Sequence, residues 1–179
     1  MRSITIPGAM LLLASILTAA HTVTANAAPQ KKEYLSEAEA DKIREAGATG
    51  PRIALFTAFA SDRIKKLQYE FAHFDQTDQK RTDRLNSLIN GYTGCIDDAA
   101  DLIEIGIEKQ QDIRGGVKAL QAGIKEFLPY LQGLAAKGPE HETYKENLDD
   151  AIEATQDAAK DVDKASKEMA PPPERRKPS

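Results

Sequence analysis

The sequence predicts an all-α protein, an up-and-down antiparallel four-helix bundle with a short extra helix at its N-terminus. Apolar residues recur every three or four positions, most clearly over residues 82–107, which is typical of a helix buried along one side. Alternation typical of strands is scarce, and Ala, Glu, Asp, Lys, Leu and Ile dominate the composition. The alternative fold is an elongated bundle around one long helix over residues 79–134.

The first 27 residues have the pattern of a secretory signal peptide. Arg2 supplies a positive charge, an apolar run covers residues 10–20, and residues 25–27 (Ala-Asn-Ala) form an A-x-A cleavage site. The apolar run is shorter than the roughly 20 residues that span a membrane, and no later segment is long enough. We therefore expect an exported protein, periplasmic or secreted, with no membrane span after cleavage.

Cleavage would leave about 150 residues, which suits one domain. We expect a flexible leader over residues 28–35, a single helical-bundle domain over 36–170, and a disordered, proline-rich basic tail over 171–179. The formal net charge is −4, and loss of Arg2 with the signal would make it −5. This mildly acidic balance argues against a nucleic-acid-binding function.

The boundaries of the first two helices follow from caps and breakers. Ser36 and Glu39 match a capping box, which predicts a short helix ending near Ala46. Pro51 suits the first position of a second helix, because proline lacks the N–H that is unsatisfied there. That helix is predicted to extend to Phe74, with Phe74 on its buried face.

The third helix is predicted from about residue 79 to Gln111 and contains Gly91 and Gly94. These glycines either allow a close approach by another helix or are tolerated without a structural role. The apolar pattern then continues past Gly115-Gly116, with a polar gap before it at residues 109–111. The glycine pair is interpreted as a turn between two helices, with a weak point inside one very long helix as the alternative.

The remaining helices are separated by proline. Pro129 is expected to kink or restart the fourth helix. Gly138 and Pro139 are expected to end it and to begin the last helix, with Pro139 at the first position. The last helix carries a regular apolar seam of mainly small residues and ends near Met169.

Cys95 is the only cysteine, so an intramolecular disulfide is excluded. The residue lies on the apolar face of the third helix, where it is predicted to be a small buried hydrophobic residue. A reactive thiol or an intermolecular disulfide is the alternative.

Glu70 and His73 are the only weak candidates for metal binding, because a Glu-x-x-His spacing places both side chains on one helix face. Di-iron bundles use two such motifs with further glutamates, and this chain has one. A haem held by His73 or His141 with Met169 is equally weak, since nothing in the sequence places these residues together. We therefore predict no cofactor and no catalytic residue.

Two further groups of charged residues are interpreted as solvent-exposed. Acidic residues lie along one side of the third helix and of the last helix and are expected to point outward, with weak cation binding as the alternative. They are Asp97, Asp101, Glu104 and Glu108 on the third helix, and Asp149, Glu153, Asp157 and Asp161 on the last. Basic residues near the second connection are interspersed with acids, which predicts a surface of ion pairs; they are Arg63, Lys65, Lys66, Lys80, Arg81 and Arg84.

The function predicted from these observations is that of an exported structural or protein-interaction domain without a catalytic site. Its partner would be another protein or a second copy of the chain. The alternative is a ligand-binding bundle that holds a metal, a haem or a small apolar molecule in its core, since bundles build such sites between facing helices. An enzyme is disfavoured, because no nucleophile, base and orienting group can be assembled from these residues.

Overall fold

A computed structural model describes residues 34–134 and 139–169. The predicted signal peptide, the leader up to residue 33 and the basic tail lie outside the described residues. The described part is all-helical, as predicted, and none of its helices is long and apolar enough to cross a membrane. The helices are α1 (Glu37–Glu45), α2 (Thr49–Ala72), α3 (Arg81–Glu108), α4 (Arg114–Leu134) and α5 (Lys145–Glu168), with a 3₁₀ helix over Pro139–Thr143.

The four long helices form a bundle in which α2 and α5 lie diagonally opposite, as do α3 and α4. The direction of the chain alternates from each long helix to the next. Because α2 and α5 are diagonal, the neighbouring pairs α2–α4 and α3–α5 are parallel. Gly123 of α4 lies beside Thr57 of α2, and Asn147 of α5 donates to Asn86 of α3. The pairs α2–α3 and α4–α5 are antiparallel. The sequence had predicted this direction for all neighbouring helices of the bundle.

The capping box predicted at the start of α1 is confirmed. The backbone N–H of Glu39 donates to the Ser36 hydroxyl, and the Glu39 carboxylate accepts from the backbone N–H of Ser36. Each interaction satisfies a donor that the first helical turn cannot satisfy internally. Tyr34 and Leu35, at the end of the predicted leader, pack against the hydrophobic core.

The second helix begins two residues earlier than predicted, so Pro51 is its third residue and not its first. Proline is tolerated there because the third N–H of a helix also lacks an intrahelical acceptor. The earlier start places Gly50 where α2 meets the chain entering α4. A Cβ at Gly50 would lie 2.8 Å from the carbonyl oxygen of Asp112, so this contact requires glycine.

The prediction that Phe74 belongs to the buried face of α2 was wrong. The helix ends at Ala72, and Phe74 lies in the connection with 56% of its surface exposed. The Arg81 guanidinium lies 5.0 Å from the centroid of its ring. In the same connection, Asp75 and Asp78 accept backbone N–H groups two residues further on, which stabilises the turn.

The turn between α3 and α4 lies at residues 109–113, beginning in the polar gap at 109–111, and not at the glycine pair. Gln110 has a φ of 51°, which reverses the chain directly after α3. Gly115 and Gly116 belong to the first turn of α4. Because α3 ends at Glu108, the alternative of one continuous helix over 79–134 is also wrong.

The fourth helix continues through Pro129 to Leu134, so the proline does not restart it, and a kink at this position stays a prediction. The last helix differs from the prediction at its start. Pro139 begins a 3₁₀ helix, and α5 starts at Lys145. The small-residue seam of α5 is buried as expected, with Ala151, Ala158 and Ala165 inside the core.

The core is continuous along the bundle and is dominated by the predicted faces. Tyr92 and Phe127 meet edge-to-face in its middle, with ring centroids 5.7 Å apart. Leu85, Ile96 and Cys95 are fully buried, which confirms that Cys95 is a buried thiol. These contacts fix the long helices and leave their outer faces available for function.

Candidate functional site

Glu70 and His73, the two weak candidates for metal binding, have different surroundings. The Glu70 carboxylate accepts from Arg84 at 2.9 and 3.1 Å and lies 3.4 Å from Arg81. The hydrogen bond from Arg84, aided by the positive charges of Arg84 and Arg81, lowers the pKa of Glu70. His73 is exposed, with its Nδ1 2.9 Å from the carbonyl oxygen of Tyr69 and its ring stacked on Tyr69. No cluster of metal-ligating side chains occurs within the described residues.

The residues considered for haem ligation are not brought together. His141 lies in the 3₁₀ helix just before α5, whereas Met169 lies just after the last residue of α5. A rise of 1.5 Å per residue separates the two ends of this helix by roughly 36 Å. His73 follows α2 at the same end of the bundle as His141, so it is also distant from Met169.

The two acidic ridges predicted on α3 and α5 are exposed along their full length. The pKa of Asp97 is raised, mainly by partial desolvation of its carboxyl group and secondly by the neighbouring Asp101 carboxylate. Part of the α5 ridge nevertheless lies close to the α3 ridge. The parallel packing of α3 against α5 brings Asp161 alongside Asp101, Glu104 and Glu108.

These carboxylates border a groove of about 290 Å³ between the C-terminal halves of α3 and α5. Its apolar members are Ala100, Ile103 and Ile107, and the only basic residue in its lining is Lys164. Ile103 is buried beneath the groove, while Ile107 is partly exposed. The complete lining is Ala100, Asp101, Ile103, Glu104, Ile107, Glu108, Asp161 and Lys164. We call this feature the α3–α5 groove.

The lining of the α3–α5 groove combines negative charge with a small apolar area. Four carboxylates and one ammonium give its lining a formal charge of −3, and the partly exposed Ile107 supplies apolar area. The sequence indicated both acidic ridges but not their proximity. That proximity depends on α3 and α5 being parallel neighbours, which helical periodicity does not reveal.

Two of the six basic residues interpreted as surface ion pairs are in fact buried. Arg63 is 8% exposed and Arg81 is 4% exposed. Arg63 contacts the Glu39 carboxylate and the backbone carbonyl of Tyr34, both from the segment at the N-terminus of the described chain. Sequence reasoning missed this role of Arg63 although it lies four residues after Phe59 and four before Leu67 on the buried face, because arginine is usually assigned to the solvent-exposed surface.

Comparison with protein-family models, with curated proteins and with solved structures gives no match. The functional interpretation therefore rests on the geometry described above.

Proposed function

We propose that the mature chain is an exported, non-catalytic protein-interaction domain whose α3–α5 groove binds a basic amphipathic segment of a partner protein. The observation that carries this proposal is that carboxylates from two adjacent helices share one open groove with a partly exposed apolar side chain. The partly exposed Ile107 shares the lining of this groove with Glu104 and Asp161. This combination gives both an apolar contact and a charge preference.

A helix that lies in such a groove would bury its apolar face while its basic residues reach the carboxylates on either side. The exposed part of Ile107 would provide an apolar contact. The acidic border would accelerate association and reject acidic partners. Export would place the domain where partners from outside the cytoplasm are available, and this part of the proposal depends on the predicted signal peptide.

The proposal is tested with a fluorescent model peptide built from leucine and lysine at helical spacing. We expect this peptide to bind the mature chain and to raise its fluorescence anisotropy, whereas a leucine–glutamate peptide of equal length should not bind. The substitution Glu104→Lys should weaken binding at least fivefold, since it places a positive charge at the groove.

Glu153→Lys is the matched control, because Glu153 is also an exposed helical glutamate and is absent from the lining of the groove. This variant has the same net charge as Glu104→Lys and should bind the basic peptide nearly as well as the wild type. Equal weakening by both substitutions would mean that only the overall charge attracts the peptide, and the groove would lose its proposed role.

The alternative inferred from the sequence, a ligand in the bundle core, is supported by no specific observation. In the described core, the largest side chains pack against one another, as Tyr92 does against Phe127. Native mass spectrometry of the mature chain purified from a periplasm distinguishes the two functions. A specific additional mass that is lost on denaturation would favour the ligand-binding function.

A further inference from the structure

Residues 34–46 cover the side chain of Arg63 from outside the four-helix core. The segment consists of Tyr34, Leu35 and the short helix α1, and we call it the N-terminal strap. One Arg63 nitrogen, Nη2, donates to Glu39 Oε2 at 2.8 Å and to the Tyr34 carbonyl oxygen at 3.1 Å. The other, Nη1, contacts Glu39 Oε1. The guanidinium thus binds the strap in a bidentate arrangement, which is a strong form of ion pair.

Glycines in α3 provide the space in which the strap lies. A Cβ at Gly94 would be 2.7 Å from the ring of Tyr34, so any other residue at this position would displace the ring. Gly91 lies against the Arg63 side chain and near the Tyr34 carbonyl oxygen. The close approach that requires glycine at position 94 is therefore made by Tyr34 of the strap, and not by another long helix.

The strap has few other attachments to the bundle. Its helix α1 has nine residues, none of which is buried, and an isolated helix of this length is marginal in water. Leu35 is buried, and Tyr34 and Ile43 are partly buried against the core. Gly47, with a φ of 63°, separates α1 from α2 and provides a point about which the strap can turn.

We propose that the N-terminal strap opens as a unit while the four-helix core remains folded, and that it thereby controls access to an anion-binding guanidinium on Arg63. In the closed state, the Glu39 carboxylate occupies this guanidinium as an internal ligand. Opening exposes it to a carboxylate of another molecule, with Asp62 as the remaining acidic neighbour at 3.7 Å. This device is independent of the α3–α5 groove.

The opening is measured by modification of arginine with phenylglyoxal, quantified for each residue by mass spectrometry. Arg63 reports on the strap, and Arg81 serves as the reference, because it is also buried but lies at the α2–α3 connection, where it contacts Glu70 and the rings of Phe71 and Phe74. In the wild type, we expect Arg63 to be modified at least tenfold faster than Arg81.

Glu39→Gln should increase the modification rate of Arg63 about tenfold and leave that of Arg81 unchanged. Glutamine can still complete the capping box, so this substitution removes the ion pair while retaining the start of α1. Glu45→Gln is the matched control, since Glu45 is an exposed glutamate of the same helix; it should change neither rate.

Gly94→Ala provides a second test that does not alter any charge. The added methyl group displaces Tyr34, while alanine favours the α3 helix over glycine. Arg63 should therefore become more reactive even though the core is not weakened. Equal modification rates of Arg63 and Arg81 in the wild type, or rates that rise together in Glu39→Gln and Gly94→Ala, would show global unfolding and would overturn the proposal.

Discussion

The phenol of Tyr92 donates a hydrogen bond to the hydroxyl of Thr155, 2.7 Å away, and so joins α3 to α5 inside the core. The direction of this bond follows from proton counting. Thr155 has one hydroxyl proton, which it donates to the carbonyl oxygen of Ala151 at 2.6 Å. Both side chains are fully buried, and burial raises the pKa of Tyr92.

The first prediction concerns this pair. Tyr92→Phe should lower the free energy of unfolding by about 1 kcal/mol, whereas Thr155→Val should cost about 1–3 kcal/mol because it leaves a buried phenol without an acceptor. The double substitution should cost less than the sum of the single ones, as measured by urea denaturation. Additive losses would mean that the two groups do not interact in solution.

The second prediction compares Gly115 with Gly116 in the first turn of α4. A Cβ at Gly115 has no neighbour within 4 Å, whereas one at Gly116 would lie 2.5 Å from the carbonyl oxygen of Gly50. Gly115→Ala should stabilise the protein by up to about 1 kcal/mol through helix propensity. Gly116→Ala should destabilise it by about 1–3 kcal/mol through overpacking, and thermal melting of both variants tests this contrast.

The third prediction concerns the pH dependence of the N-terminal strap. The Arg63 hydrogen bond, aided by Ser36, lowers the pKa of Glu39 from 4.5 to about 2. A carboxyl group with a lowered folded-state pKa contributes its full stability above the unfolded pKa and loses it as the pH falls. The contribution of Glu39 should therefore be complete above pH 4.5 and disappear towards pH 2.

The measurement is the difference between the urea midpoints of the wild type and of Glu39→Gln, in which the other titrating groups cancel. This difference should be constant between pH 5 and 7 and clearly smaller at pH 3. If it persisted unchanged at pH 3 and below, the strap would not depend on the Glu39 charge.

The fourth prediction separates the roles of Glu70 and His73. Glu70→Ala should lower the free energy of unfolding by about 1–3 kcal/mol, because the guanidinium of the buried Arg81 loses a nearby carboxylate. His73→Ala should change it by no more than about 0.5 kcal/mol, as is usual for an exposed residue. Zinc-dependent stabilisation abolished by both substitutions would instead indicate a metal site.

The sequence by itself determined the elements that depend on local interactions. The capping box of Ser36 and Glu39 specified the start of α1, and the spacing of apolar residues identified the buried faces that carry Leu85 and Leu148. These features were predictable because each involves residues within about one or two turns of each other. The single buried cysteine was predictable for the same reason.

Only the tertiary structure decided which helices are neighbours, and with this the candidate functional surfaces. Periodicity shows that a face is buried but not what covers it. Thus it could not bring Asp161 beside Glu104, bury Arg63 beneath Glu39, or assign Gly94 to the ring of Tyr34. The α3–α4 turn begins in a polar gap, where Gln110 has a positive φ. The diagonal packing that brings α3 alongside α5 arises from contacts between residues distant in sequence.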